Sequence, residues 1–577
     1  MNGAEFVTKI LQSYGVDVIF GYPGGAIMPF YDAIYGSNLE HILFRNEQGA
    51  GFSALGYSRS SGYEKLGVVV STSGPGATNL ITPLADANLD SIPLIAITGQ
   101  VSTQAIGSDA FQEVDVLGLS LSVTKHSFLV KDADNLGLIF AKAFGIALSP
   151  RFGPVLIDLP KDVQMQEVKN TKIYDYKDFI KPLPDPKKED INGALELFKN
   201  AKKPLFYIGG GVHMARAQNS LNELLNQVNL PSVCTIKGLG ITNHELNLGM
   251  LGMHGSRAAN HAVHDCDLLI ALGARFDDRV TGDLATFAPN ARIIHCDCDK
   301  SEFGKNKVPD LAIYADLSKV LKDFESFLSD ELLKVYKPWL AHILDMKQKL
   351  HFCYEDSAVC TPIKSVDENG AINPTLTLQI LDKLRPKNSV ITTDVGQHQM
   401  WSAQYLEHAN ASNFLTSSGL GTMGFGLGAS IGAGVFDKSK MSILITGDGS
   451  FMMNIQELAS IFRARINLKI ILLDNGVLGM VRQWQGLFFD ARFSEISLHD
   501  NPDFITLAKA FGINGEKITL QNEVEDAIKR ALEIDLPYLL HIKIDKNHGA
   551  WPLVPPNKCN LDALSKDSFS HILKQDY

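Results

Sequence analysis

Short runs of aliphatic and β-branched residues recur along the chain, each ending in a glycine-bearing loop and followed by apolar positions at helical spacing. Phe6, Val7, Ile10, Leu11 and Tyr14 define one face of a predicted helix over residues 3–14. The run Val16 to Phe20 follows and ends in Gly21-Tyr22-Pro23-Gly24-Gly25. The same grammar returns at Gly67–Ser71, which ends in Ser73-Gly74-Pro75-Gly76, and at Ile92–Thr98, which ends in Gly99-Gln100. Continuous rather than alternating apolar runs indicate strands buried on both faces, hence parallel sheets covered by helices.

Two polar stretches divide this pattern. The first lies near 165–190 and carries Pro182-Leu183-Pro184-Asp185-Pro186; the second lies near 350–372. Between them a second α/β block opens at Pro204–Ile208, runs into Gly209-Gly210-Gly211, and continues through predicted strands Asp267–Leu272 and Arg292–Cys296. A third block holds predicted strands Val390–Thr393, Met441–Thr446 and Leu468–Leu473. The expected architecture is α/β: three doubly wound parallel-sheet domains at 1–175, 190–350 and 370–577. In such sheets ligands sit beyond the carboxyl ends of the strands, so the chemistry is expected in the loops there.

Composition narrows the partners. A chain of 577 residues is too long for one core. Its net charge of −11 argues against a nucleic-acid-binding surface. No apolar stretch is long enough to span a bilayer, and Glu5, Lys9 and Asp17 interrupt any leader-like start, so a cytoplasmic enzyme is expected. The seven cysteines include no CxxC pair; Cys296 and Cys298 fall in one apparent strand, but no second pair completes a zinc site.

The most specific chemical signal is in the third block. Strand Ser442–Thr446 runs into Gly447-Asp448-Gly449-Ser450, a helix is expected over 454–465, and strand Leu468–Leu473 ends at Asp474-Asn475-Gly476. Two strand ends of one βαβ unit thus offer a carboxylate, Asp448, and an amide oxygen, Asn475. Both are hard ligands suited to Mg²⁺ shared with phosphate oxygens. Glycines at 447 and 449 allow close approach of a diphosphate, and Ser450 is placed at an expected helix start that favours anions. This spacing matches the thiamin-diphosphate fingerprint, with Asp474 standing where an asparagine is frequent. In the first block, Glu47 follows the predicted strand His41–Phe44 and precedes an Ala/Gly-rich helix. It is the candidate glutamate that activates the cofactor's aminopyrimidine, which makes a dimer the expected minimum.

From Phe20-Gly21-Tyr22-Pro23-Gly24-Gly25 to Pro552-Leu553-Val554-Pro555-Pro556, the chain resembles the acetolactate synthase (acetohydroxyacid synthase) large-subunit family of thiamin-diphosphate enzymes. The blocks Thr72-Ser73-Gly74-Pro75-Gly76-Ala77-Thr78-Asn79, Gly107-Ser108-Asp109-Ala110-Phe111-Gln112-Glu113 and Val395-Gly396-Gln397-His398 carry the likeness, with Arg275-Phe276-Asp277-Asp278-Arg279-Val280-Thr281-Gly282. The resemblance implies thiamin diphosphate, Mg²⁺ and a non-redox FAD as cofactors. It implies that Gly25 and Gln100 face the reaction centre with Glu47. Gly396, Gln397, His398, Met423, Gly449, Ser450 and Met480 would hold thiamin diphosphate, and the Val477 carbonyl would complete the metal ligands. Gly209, Gly210, Arg275, Asp278, Asp297 and Asp316 would contact FAD. An arginine that contacts FAD in some members is expected at the place of Leu121, which puts that contact in doubt. Arg279 and Trp484 would line the acceptor site. The implied reaction decarboxylates pyruvate and joins the two-carbon unit to pyruvate or 2-oxobutanoate, the first common step toward valine, leucine and isoleucine. A homodimer or homotetramer and a separate small regulatory subunit are implied partners. A pyruvate oxidase-like reading is disfavoured by Trp484 and the Arg275–Gly282 block, and a glyoxylate carboligase reading by Glu47.

Overall fold

The computed structural model describes residues 1–328, 330–350 and 371–568. The second polar stretch expected near 350–372 therefore lies, but for its edges, outside the described residues. Among the described residues, eighteen strands form three six-stranded sheets. The first holds β1 (Val18–Gly21), β2 (Glu40–Leu43), β3 (Gly67–Ser71), β4 (Leu94–Gln100), β5 (His126–Leu129) and β6 (Pro154–Pro160). The central one holds β7 (Pro204–Ile208), β8 (Ser232–Cys234), β9 (Asn247–Met250), β10 (Leu268–Leu272), β11 (Arg292–Asp297) and β12 (Leu311–Tyr314). The third holds β13 (Val390–Thr393), β14 (Phe414–Leu415), β15 (Ser442–Gly447), β16 (Leu468–Asp474), β17 (Asn514–Ile518) and β18 (Tyr538–Lys543).

Strands β3, β4, β6, β7 and β10 are buried along their whole length, as their unbroken apolar sequence requires. Their neighbours pair in parallel throughout. The central order, β12-β11-β10-β7-β8-β9, is that of dinucleotide-binding folds. The outer sheets share a different order with each other. The first reads β2-β1-β3-β4-β6-β5, and the third repeats it strand for strand as β14-β13-β15-β16-β18-β17. The chain thus contains two copies of one topology flanking a third, although no short-period repeat is visible in the sequence.

The two equivalent domains pack through equivalent helices. Helix Glu47–Ser60 follows β2, and helix Phe425–Phe436 follows β14. A Cβ on Gly56 would overlap the Ala429 carbonyl, and one on Gly432 would overlap the Ser53 carbonyl. Only glycine lets these backbones come so close. Phe52 and Phe425 meet edge to face with ring centroids 5.5 Å apart, and one apolar core runs from Val18 through both domains to Leu539.

The helix expected over 454–465 forms over residues 455–464, its first turn 3₁₀; one local expectation fails, at Cys298. A five-residue helix, Asp448–Met452, comes straight off β15, a 3₁₀ turn follows at Ile455–Glu457, and helix resumes over Leu458–Ala464. Asn454 separates the two helical segments, buried and held by a 2.8 Å bond from its side-chain amide to the Gly424 carbonyl. Ser450 lies in the first turn of the short helix, as expected. Cys298 lies beyond the end of β11 and not in the strand with Cys296, and no cluster of metal-binding side chains forms among the described residues.

Candidate active site

The predicted residues fall into three groups, each at the carboxyl edge of one sheet. In the first domain, Gly25 follows β1, Glu47 follows β2 and Gln100 ends β4. Thr72, after β3, joins them: its side chain lies against Gly24 and Gly76, and Gly76 in turn abuts the Glu47 carboxylate. Glu47 is buried at the first turn of its helix, where the free amides and the helix dipole favour a carboxylate. Asn79 donates to Glu47 Oε2 at 2.8 Å. Gln100 is held on three sides: Nε2 donates to the Val114 carbonyl and to Asp158 Oδ2, and Oε1 accepts from the Val101 amide. Burial pushes Asp158 up to about 7 despite donors from Thr98 and Gln100.

In the third domain, the equivalent loops gather at the point where strand order reverses, between β13 and β15. The His398 ring stands against Gly447, Ser450 Oγ donates to the Val395 carbonyl at 2.8 Å, and the Met423 methyl lies beside Gly449. Asn475 Oδ1 accepts from the Val477 amide, and its Nδ2 lies 3.5 Å from Gln397 Oε1. Asp448 is buried and accepts from Asn501 Nδ2 at 2.7 Å. Burial, and then the neighbouring Asp474 carboxylate, push Asp448 up to about 7. Asp474 moves the opposite way. Although burial opposes it, bonds from His541 Nε2 at 2.8 Å and Lys543 Nζ at 2.9 Å hold it well below the usual carboxylate range. The departure from Asn at 474 thus has a structural use, because the carboxylate ties the end of β16 to β18.

Magnesium and a diphosphate fit this edge. His398 Nε2 is buried with no hydrogen-bond partner among the described residues, and burial keeps the ring neutral, down to about 3. Asp448 is a buried carboxylate beside a second one, Asp474. Such a pair is costly unless a polar ligand satisfies it.

The third group lines a cavity of about 750 Å³ between the domains, within the roughly 300–1,000 Å³ that encloses a cofactor-sized molecule. It opens at the reversal point of the central sheet, where Gly209–Gly211 and Gly273–Arg275 pack backbone to backbone. Gly209, Gly210, Arg275, Asp278, Asp297, Arg279, Met480 and Trp484 all line it. Arg279 lies 5.6 Å from the Trp484 ring centroid, a cation–π contact, and Trp484 Nε1 is buried without a hydrogen-bond partner among the described residues. Asp316 is not among the lining residues; its carboxylate caps a helix by accepting from the Ser318 amide and hydroxyl. Leu121 is exposed and does not line the cavity, whereas Arg151 does, bonded to Ser91 and Glu302. Lys237 and Asp90 also reach the cavity, and Asp90 accepts from the Ser418 and Gly419 amides, so one buried charge cluster joins all three domains there. Sequence reasoning missed Asn79, Asn501, Arg151 and Lys237. Asn79 lay in a block already singled out, but nothing in the sequence marked the others.

Sheets of this order, with Asp448, Asn475 and His398 brought together at the carboxyl edge of the third, are the arrangement expected of a thiamin-diphosphate enzyme. Family models agree along the chain: the thiamine pyrophosphate enzyme N-terminal TPP binding domain matches residues 1–119, the central domain 191–324 and the C-terminal TPP binding domain 394–542. The acetolactate synthase isozyme 2 large subunit of Escherichia coli (strain K12) is 50% identical over 98% of this chain and 100% of its own length. A probable acetolactate synthase large subunit of Methanocaldococcus jannaschii is 44% identical over 96% and 94%. The acetolactate synthase large subunit of Pyropia yezoensis is 43% identical over 98% and 95%. The chain belongs to the acetolactate synthase large-subunit family. No helix among the described residues is long and apolar enough to cross a membrane.

Proposed function

We propose that this chain decarboxylates pyruvate and condenses the two-carbon unit with pyruvate or 2-oxobutanoate, giving 2-acetolactate or 2-aceto-2-hydroxybutanoate. The observation that carries the reading is the gathering of Asp448, Asn475 and the unpartnered ring nitrogen of His398 in the loops at the carboxyl edge of the third sheet, in a chain whose relatives are acetolactate synthase large subunits. Asp448, Asn475 and the Val477 carbonyl hold Mg²⁺. Gly396, Gln397, His398, Gly449 and Ser450 hold the diphosphate, and Met423 and Met480 support the rings. Bound thiamin diphosphate supplies an acidic ring carbon and the electron sink for decarboxylation. Glu47, oriented by Asn79, holds a proton at the aminopyrimidine N1′ atom. Gly25 leaves open space on its side-chain face, and Gln100, fixed by Asp158, presents a rigid amide. Trp484 and Arg279 shape the acceptor end, the arginine binding the acceptor carboxylate.

Gly209, Gly210, Arg151, Arg275 and Asp278, which line the central cavity, would hold FAD there. It has no redox part in the overall reaction. Two copies of the chain form the minimal enzyme, Glu47 of one serving the diphosphate loop of the other. The relatives' designation as large subunits supports a separate small regulatory subunit as a further partner.

The test is product analysis with the purified chain and pyruvate, omitting thiamin diphosphate, Mg²⁺ and FAD in turn. Acetolactate formed without oxygen uptake and lost with each omission is the expected result. Acetate or acetaldehyde as the product would overturn the carboligase assignment.

A further inference from the structure

Glu457 is a fully buried carboxylate that the reaction above does not use. It belongs to the third domain, in the 3₁₀ turn that follows the metal-ligand loop. Its acceptors, however, serve the first domain. Oε1 accepts from the Asn46 amide at 2.9 Å and the Arg45 amide at 3.2 Å, and Oε2 lies 3.1 Å from the Arg45 amide. Arg45 and Asn46 are the two residues immediately before Glu47. The Ser460 hydroxyl donates to Oε2 at 2.6 Å, which fixes the carboxylate from its own side. Gly49 makes room for it: a Cβ there would stand 2.8 Å from Oε1. Asn454 and Gln48 add a second, weaker contact across the same seam at 3.3 Å.

These bonds fall where placement matters. Asn46 is the N-cap of the Glu47 helix, so the direction of its first turn depends on the backbone at 45 and 46. A charged acceptor on two backbone amides is stronger and more directional than a neutral one. A carboxylate is buried at a domain seam only at a cost, which here is offset by the two backbone amides of that turn together with Ser460.

We propose that Glu457 is a positioning residue for the reaction. It clamps the Arg45–Asn46 backbone so that the Glu47 carboxylate is held in register for the cofactor's aminopyrimidine. It also ties the segment that begins at the metal ligand Asp448 to the activating glutamate of the same chain. The inference rests on the assignment of Glu47 made above.

The test is hydrogen–deuterium exchange at the reactive ring carbon of thiamin diphosphate bound to the purified holoenzyme, with cofactor affinity followed separately by fluorescence titration. Glu457→Ala is expected to slow exchange at least about tenfold, since displacement of a reacting group by about 1 Å can cost up to about a hundredfold. Glu457→Gln, whose amide oxygen can still meet the two backbone amides, is expected to recover most of the rate. If the alanine variant fails to fold, Gly49→Ala displaces the carboxylate without removing it and is expected to slow exchange in the same direction. In a Glu47→Gln background, Glu457→Ala is expected to add little. Exchange at the wild-type rate in Glu457→Ala, or an equal slowing with and without Glu47, would overturn the proposal. Wild-type exchange in Glu47→Gln alone would instead sink the assignment of Glu47, and the present inference with it.

Discussion

Residue identity matters most where one side chain has no substitute partner. Trp484 combines an apolar face toward the cavity with an unpartnered indole nitrogen and the Arg279 guanidinium at 5.6 Å. A flat aromatic wall can favour an acceptor longer by one methylene, a discrimination of about 1–3 kcal/mol. Trp484→Leu is therefore expected to lower the preference for 2-oxobutanoate over pyruvate about tenfold or more. A competition assay with both acceptors checks this, and an unchanged product ratio would remove Trp484 from the acceptor site. Asp448, Asn475 and Glu47 were legible as residues because their types and spacing are tied to a chemistry. Asn501, which bonds Asp448 from a distant loop, was not legible, since no local pattern announces a contact made across 53 residues.

At the scale of elements, the helix pair Glu47–Ser60 and Phe425–Phe436 holds the first and third domains together. The contact depends on glycine at 56 and 432, where a partner carbonyl occupies the place of a side chain. Gly432→Val is expected to force the helices apart at a cost of about 1–3 kcal/mol, the usual range for overpacking. The readouts are a lower melting temperature and a loss of activity through displacement of the Glu47 helix. Full activity with unchanged melting would show that the helices tolerate separation. The strands were the most legible elements: Gly67–Ser71 and Val390–Thr393 form as read. The helix expected over 454–465 forms as well, over residues 455–464; what the sequence did not announce is the bond just before it, from Asn454 to a carbonyl 30 residues away.

For the whole molecule, burial of histidines sets the response to acid. His41, His213, His254 and His408 are pushed down to about 4, and His398 and His548 to about 3, in each case chiefly by burial. Below an unfolded value of about 6.5 the unfolded chain binds these protons and the folded chain does not, so stability falls as pH falls. Melting temperature is expected to be highest near neutrality and to drop steeply between about pH 6.5 and 4. A flat profile across that window would contradict the burial of these rings. Asp158 acts with the opposite sign. Its folded value near 7 means that its contribution is present in acid and is lost as pH rises toward neutrality.

The sequence by itself determined the class. Unbroken apolar runs dictate buried parallel strands, glycine loops mark their carboxyl ends, and the spacing of Asp448 and Asn475 marks a thiamin-diphosphate enzyme. These are local properties, set by backbone chemistry and by residues a short distance apart. Only the tertiary structure decided what depends on distant segments meeting. It gave the first and third sheets one shared order, placed Arg151 rather than Leu121 at the central cavity, and set Asp316 to capping a helix. It also brought Glu457 onto the backbone that carries Glu47. Such contacts join residues hundreds of positions apart, and a hydrogen bond or a shared cavity depends on position in space, which neither composition nor periodicity encodes.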